Sequence, residues 1–510
     1  MLPFILAVVV VLLGSLAYFL PTLRATSSLP SEHRENDRKL PPGPSPLPII
    51  GNLHMLGNLP HQTLYNLAKL HGPIMSLRLG YVQTIVVSSA NAAKLFLKTH
   101  DAVFGSRPKL RASRYMSYGT KGMAFTEYGP YWRSVRKLCT VQLLSASKIE
   151  YFAPIRKEEL GFYVESLKRA AAARKVVDFS VGVGDMIQNI ACRMVFGEVN
   201  NHELDLKALV KEALLLAGAF NIADYIPFLG PIDLQGLTKR MKAFSKAMDK
   251  VLERIIDEHE KEAYWEKKQK SDFIDVLLSL MNQPMVTSHD NALSTIDRTH
   301  IKAISIDMII GSFDTSATTI EWTLSELLRH PHAMKCLQDE LQSVVGMDNM
   351  VEEKHLSKLP YLDMVIKESL RLHPIAPLLV PREAMEDVMV DGYYIPKKSR
   401  VIVNAWAIGR DPDAWSDTEK FLPERFIDMN IDLRGQDFQL IPFGSGRRGC
   451  PGIQLGLTII KIIIAQLVHC FDWELPNGLL PGELDMNEKF GLSLPRANHL
   501  LVVPKYRLGT

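Results

Sequence analysis

One cysteine stands among glycines and arginines in the run Pro442-Phe443-Gly444-Ser445-Gly446-Arg447-Arg448-Gly449-Cys450-Pro451-Gly452. No second cysteine is nearby, so the multi-cysteine ligand sets of structural zinc and iron–sulfur clusters do not fit. The glycines permit tight turns and bring backbone N–H groups close to the sulfur. Pro451 suits the first turn of a helix, and the apolar run Leu455–Val468 that follows has helical length. These features predict Cys450 at a helix N-terminus, where the dipole and free amides stabilise a thiolate. One thiolate in such a loop can ligate haem iron and push electron density towards O–O cleavage. A glycine-rich turn that leads into a core helix and carries an inert cysteine fits the same residues.

Three other constellations carry polar groups at telling spacings. Thr299–Arg329 reads as a helix of about 46 Å at about 1.5 Å per residue. Within it, Met308-Ile309-Ile310 gives way to Gly311-Ser312-Phe313-Asp314-Thr315-Ser316, whose polar side chains compete for backbone hydrogen bonds. This predicts a local widening with room for a gas molecule and water, although a buried helix with a tolerated polar patch is also consistent. Trp132 and Arg136 are four apart in a predicted helix, Tyr131–Leu144, and so share a face; a surface Trp–Arg contact would need nothing more. In the helix Tyr361–Pro374, Glu368 and Arg371 are three apart beside Met364, Val365 and Leu372. Burial there demands further partners, and Arg425 in Phe421–Phe426 is the third member expected.

The spacing Phe443-x-x-Gly446-x-Arg448-x-Cys450-x-Gly452 closely resembles the haem-binding signature of the cytochrome P-450 superfamily, and the other motifs occur in that family's order. The resemblance covers essentially the whole chain and is closest to the plant microsomal group. It implies a mainly α fold with a small β-rich subdomain, holding heme b (iron protoporphyrin IX). By the same resemblance Cys450 ligates the iron, with Phe443 and Arg448 beside the cofactor. Trp132 and Arg136 would meet a haem propionate, and Arg382, in Leu378–Arg382, is a further propionate partner. Gly311–Thr315 aligns with the oxygen-activation motif, which makes Asp314 and Thr315 catalytic, passing protons to dioxygen through water. Ser312 departs from the motif's second glycine and leaves the efficiency of oxygen activation open. Glu368, Arg371 and Arg425 take a structural role, locking the loop that carries the cysteine. Phe490–Leu494 resembles a loop tip that reaches into the substrate pocket, for which Ile309, Ile310, Phe313, Ile375 and Leu378 are the apolar candidates.

The reaction implied is monooxygenation of a small hydrophobic metabolite, in plant specialised metabolism or xenobiotic oxidation. One oxygen atom of O2 enters the substrate. Electrons would come from NADPH through a membrane-bound NADPH-cytochrome reductase, since the chain shows no flavin or nicotinamide fingerprint. Two alternatives remain: a haem-thiolate dehydratase or isomerase that does not use O2, and a non-catalytic haem-binding sensor.

The remaining sequence must position these groups. With 510 residues, 47% hydrophobic and 23% charged, the chain can bury a large core. A net charge of +3 argues against a nucleic-acid partner. Cys139, Cys192, Cys336, Cys450 and Cys470 are odd in number and scattered, as free thiols would be. Leu2–Leu23 lacks charged residues and at about 1.5 Å per residue reaches about 33 Å, enough to cross a bilayer. A cleaved signal peptide is the other reading, but no basic residue precedes the apolar run. Arg24, Arg34, Arg38 and Lys39 follow it, which puts the body on the cytoplasmic side of a single-pass anchor; the resemblance to the microsomal group implies the endoplasmic reticulum membrane. The expected division is an anchor over 1–24, a polar tether and proline-rich hinge over 25–50, and the haem-thiolate domain over 51–510. Within that domain, Ile74–Leu79 and Thr84–Val87 read as strands joined at Gly80. Val388–Val403 reads as hairpin strands turning at Asp391-Gly392, and Ile149–Lys270 as mostly helical.

Overall fold

The computed structural model describes residues 39–197, 206–265, 272–282 and 295–508. The expected anchor Leu2–Leu23, the polar tether up to residue 38 and a predicted surface loop at Ser288–Asn291 lie outside them.

Helices dominate, with small sheets at the side. Six helices matter for the site: α1 (Pro130–Leu138), α2 (Phe179–Phe196), α3 (Arg298–Arg329), α4 (Pro331–Val345), α5 (Pro360–Leu372) and α6 (Ile453–Cys470). The longest of the described helices is α3, with 32 residues. It starts where the Asp297 carboxylate accepts the His300 N–H at 2.9 Å, an N-cap that satisfies one of the free amides of the first turn. It stops at His330, because Pro331 has no N–H to continue the ladder and instead opens α4. Buried residues surround α3 on most sides, and α2, α5 and α6 pack directly on it. Helix α6 is apolar and long enough to cross a membrane, but most of it is buried inside the protein, as befits a core helix.

The expected widening of α3 is not present: the helix stays α-helical through Gly311–Ser316. The hydroxyls explain this. Ser312 donates to the Met308 carbonyl at 2.8 Å, Thr315 to Gly311 at 2.9 Å and Thr319 to Thr315 at 2.8 Å. Each finds a carbonyl one turn back without displacing the ladder. A π-helical turn occurs instead at Cys139–Leu143, where it prolongs α1 to the end expected from sequence.

The main sheet pairs β1 (Ile74–Leu79) antiparallel to β2 (Val82–Val87), with Ile74 opposite Val87. Strand β4 (Arg400–Val403) lies parallel to β2, and β3 (Arg382–Glu383) pairs with β4. Gly80 turns the hairpin at φ +60°, and a Cβ there would sit 2.4 Å from the Tyr225 carbonyl oxygen. The Val388–Val403 stretch divides: residues 388–395 form a hairpin, and β4 leaves for the main sheet. Asp391 and Gly392, at φ 50° and 75°, supply the two left-handed positions of a tight hairpin turn. The proline-rich run is hydrogen-bonded to the body. Ser76 N–H donates to the Pro42 carbonyl and Tyr394 N–H to that of Lys39, each at 2.8 Å.

Candidate active site

A single cavity gathers residues from α1, α3, α6, the segment Ile375–Arg382, the cysteine loop and the tip Leu492-Ser493. The cysteine loop is shaped by Gly444 and Gly446, at φ 69° and 68°. A Cβ on Gly446 would lie 2.3 Å from the Leu97 carbonyl oxygen, so only glycine fits. Cys450 N–H closes the loop on the Phe443 carbonyl at 2.9 Å. Both Cys450 and Phe443 line the cavity. Helix α6 begins at Ile453 with Gly452 as its N-cap, so Cys450 precedes the helix instead of sitting in its first turn. The helix dipole fades quickly outside that turn. Burial pushes the Cys450 thiol up, opposed by the Gly452 amide and the charge of Arg136. Its exposed surface lies where it lines the cavity. A stable thiolate here calls for a cation bound to the sulfur.

Four guanidinium groups converge on the same cavity: Arg107, Arg136, Arg382 and Arg448. Arg136 donates to the Gly449 carbonyl at 2.7 Å. Arg448 donates to Gly105 at 2.7 Å and Thr126 at 2.5 Å, and lies 4.1 Å over the ring of Trp132. The Trp132 indole N–H in turn donates to the Met123 carbonyl at 3.1 Å. Arg382 pairs with Asp101 at 2.8 Å and donates to the Ser445 carbonyl at 2.6 Å. Arg107 reaches the carbonyls of Ala124 and Pro381 at 3.2 and 2.9 Å. Burial, then repulsion from Arg448, Arg382 and Arg136, holds Arg107 well below the usual arginine range. Burial, then Arg382 and Arg136, brings Arg448 down to about 9. Among the described residues, Asp101 is the carboxylate bonded to any of the four. The cluster is therefore short of negative charge, and a ligand bearing carboxylates would supply it.

Asp314 and Thr315 line the same cavity from α3. The Ser493 hydroxyl donates to Asp314. Burial raises the Asp314 pKa against that hydrogen bond. Of the apolar candidates, Ile310 and Ile375 line the cavity, whereas Phe313, Ile309 and Leu378 do not. At about 100° per residue, Ile309 and Phe313 point about 160° away from Gly311, on the far face of α3, where they join the main core. Leu378 packs with the small cluster around Leu64 and Met75; Leu379, turned by a φ of 48°, and Val380 face the cavity in its place.

Glu368, Arg371 and Arg425 do meet, behind the cavity. Arg371 grips Glu368 with two bonds of 2.8 Å, and Arg425 adds one of 2.9 Å. Arg371 also donates to the carbonyls of Gly409, Thr418 and Lys420 at 2.8, 2.7 and 2.9 Å. The trio thus fixes the segment from Gly409 to Arg425, and its hydrogen bonds do not run to the Cys450 loop itself, as the expected locking role had them. That loop is held instead by Arg382, by Asp101 and by Ser445, which donates to the Gly435 carbonyl at 2.5 Å.

Two cavity groups went unnoticed in the sequence. Arg107 lies in a stretch without periodic signal. Asp307 shares the face of Gly311 and Asp314 by its i, i+4, i+7 spacing, a signal that was legible. Its carboxylate accepts N–H bonds from Met123 at 2.5 Å and Ala124 at 3.0 Å. Burial pushes it up to about 6 against those amides.

The sequence matches the family model described as Cytochrome P450 over residues 41–503. The chain belongs to the cytochrome P450 family. It is 57% identical to the Panax ginseng protein named Cytochrome P450 CYP736A12, with 100% of each chain covered. It is 42% identical to the Flavonoid 3'-monooxygenase of Arabidopsis thaliana, covering 93% of each. A solved zebra fish cytochrome P450 with progesterone matches with a TM-score of 0.75 at 26% identity, covering 88% of this chain and 99% of that one. This P450 is accordingly an oxidoreductase of the monooxygenase family, whose cofactor is heme b. The residues fit that group. A thiol raised by burial needs a cation, and four under-neutralised guanidiniums need anions; iron and two propionates match both demands.

Proposed function

We propose that this P450 inserts one oxygen atom from O2 into a small hydrophobic plant metabolite or xenobiotic. The observation that carries this reading is one cavity lined together by Cys450 and the arginine cluster, by Asp314 and Thr315, and by the apolar Ile310, Ile375, Leu379 and Val380. Cys450 would ligate the iron of a bound heme b, with Phe443 lining the same cavity. Arg107, Arg136, Arg382 and Arg448 would hold its propionates, with Trp132 stacked against Arg448 to fix the guanidinium plane. When bound, heme b supplies the redox centre at which O2 is reduced and oxygen is transferred.

The chain's own groups handle protons and water. Asp314 is half-buried and desolvation raises its pKa, so it can hold a proton and release it into the cavity. The Thr315 hydroxyl next to it donates to the Gly311 carbonyl at 2.9 Å and keeps its oxygen free to accept from water, and Ser493 orients the Asp314 carboxyl. The Ser312 hydroxyl is engaged with Met308 at 2.8 Å, which supports reading it as a tolerated helix residue that leaves the Asp314-Thr315 pair in place. Apolar walls keep bulk water from the reacting carbon and favour an apolar substrate. The two relatives named Flavonoid 3'-monooxygenase support a phenylpropanoid-type aromatic as the first class to try.

Electrons arrive from NADPH through NADPH-cytochrome reductase, and Leu2–Leu23 anchors the enzyme in the endoplasmic reticulum membrane with the body cytoplasmic. The charge-free apolar run and the basic residues behind it support that placement. The test reconstitutes the full chain with reductase in membranes and feeds pooled plant metabolites under heavy-isotope dioxygen. An NADPH-dependent product with one labelled oxygen is expected. Products that form without NADPH and carry no label would overturn the reading.

A further inference from the structure

Away from the cavity, His332 and Cys336 stand one turn apart on α4 and face Glu424 in the short turn Pro423–Phe426. Their ligand atoms all lie within 4.8 Å of one another. The Cys336 sulfur is 3.8 Å from His332 Nδ1 and 3.9 Å from Nε2. Bond lengths of about 2.3 Å to sulfur and about 2.0 Å to nitrogen place these donors about 3.5 Å apart around a tetrahedral zinc ion. The observed separation is within a small side-chain adjustment of that value. Tyr361, from α5, donates its hydroxyl to Glu424 Oε1 at 2.6 Å, which orients the carboxylate as outer partners do in metal sites. His332 is exposed and the other two are half-buried, so an ion can enter.

We propose that His332, Cys336 and Glu424 bind one zinc-type divalent ion, with the fourth position open to water. Imidazole, thiolate and carboxylate together suit zinc better than the hard, oxygen-bound cations. The second acidic cluster with a histidine, His259 with Asp272 and Asp275, differs. There Asp272 already bonds His259 at 2.9 Å and caps a helix through the Asp275 N–H at 3.0 Å. At Cys336 the ion would tie α4 to the turn holding Arg425, whose guanidinium supports buried Glu368 at 2.9 Å. Its role is that of a structural staple, and it rests on none of the groups assigned to oxygen chemistry.

The experiment titrates the full-length, haem-loaded protein with Co2+ and Cd2+ as spectroscopic probes, then with competing Zn2+. One equivalent is expected to bind at micromolar free ion with a thiolate-to-metal charge-transfer band. Zn2+ is expected to abolish the band and to raise the temperature at which the carbon monoxide difference spectrum is lost. Cys336→Ser is expected to remove the band and the thermal shift, and His332→Ala to weaken binding at least about tenfold. His332 is exposed and Cys336 half-buried, and an unchanged carbon monoxide spectrum certifies that each variant is folded. A band that persists in Cys336→Ser, equal affinity in His332→Ala, or no binding at micromolar ion would each overturn the site.

Discussion

The Ser493 hydroxyl donates a hydrogen bond to Oδ2 of Asp314, joining the C-terminal loop tip to the middle of α3. The tip is set by two further bonds: Trp322 Nε1 donates to the Leu494 carbonyl at 2.8 Å, and Leu494 N–H donates to Ile375 at 2.9 Å. The bond from Ser493 favours the ionised form of Asp314, while burial favours the neutral one. Removing it in Ser493→Ala leaves burial unopposed, so the Asp314 pKa rises further. The carboxyl then stays protonated to higher pH, and the pH profile of turnover is expected to move alkaline. Asp314→Asn should lower turnover by about 10²- to 10⁴-fold, as loss of a general acid does, with the carbon monoxide spectrum intact.

Arg448 predicts a separate failure, that of cofactor retention. Its guanidinium serves the carbonyls of Gly105 and Thr126 and stacks on Trp132. Arg448→Leu strands those buried acceptors at about 1–3 kcal/mol each and removes a propionate partner. The variant is expected to purify with a small fraction of the wild-type haem, measured by the pyridine haemochrome method. Arg448→Lys should rescue little, because one ammonium cannot reproduce the planar fork. Full haem content in both variants would contradict the assignment.

Much of this site could be read from the chain because its chemistry is local in sequence. Cys450 with its glycines, the Asp314-Thr315 pair and the Glu368–Arg371 spacing each declare themselves within a few residues. What stayed hidden depends on tertiary placement. Arg107 becomes a cavity residue only because Val380 and Pro381 return past it. Asp101 gains its role by receiving Arg382 from 281 positions away. Phe313 was misplaced for a different reason: its neighbours in sequence face the cavity, and a helix turns the next side chain elsewhere. The widening expected in α3 failed because hydroxyls that might have opened the ladder bonded to its carbonyls instead.

Glu368 tests the buried charge cluster. Glu368 and Arg371 are both 0% exposed, and the carboxylate also accepts the Leu422 N–H at 2.8 Å. Glu368→Ala leaves Arg371 buried without its partner, which costs about 3–5 kcal/mol. The expected outcome is a large drop in unfolding midpoint and in yield of folded enzyme. Glu368→Gln keeps some of the hydrogen bonds and should fall between the two.

Asp307 links stability to pH. Its folded pKa of about 6 lies above the ordinary 3.8, so between those values the folded state binds more protons than the unfolded state. Stability is fully present below the lower value and is lost as pH rises to about 6. Two units amount to up to about 3 kcal/mol. Asp307→Asn still offers an oxygen to the Met123 and Ala124 amides but cannot titrate. Its stability should therefore lack this decline between the two values, which thermal unfolding across the window would show. A decline of equal size in the variant would mean that another group is responsible.

Ile310 and Phe313, three apart on α3, separate pocket from core. Phe313 is 7% exposed and packs into the main cluster, so Phe313→Ala should cost about 3–5 kcal/mol of stability. The product pattern from any accepted substrate should stay the same, because no cavity wall has moved. Ile310 lines the cavity and is only partly buried, so Ile310→Ala removes contact with the substrate more than with the core. The substitution removes three carbons, and a single methylene more or less in an apolar pocket already shifts discrimination by about 10- to 200-fold. The expected result is a changed ratio of products or accepted substrates at near-normal stability. Mass-spectrometric product profiles together with unfolding midpoints for the two variants give a crossed comparison. If Phe313→Ala instead redirects the products while Ile310→Ala leaves them unchanged, the far face of α3 must turn inward when substrate binds.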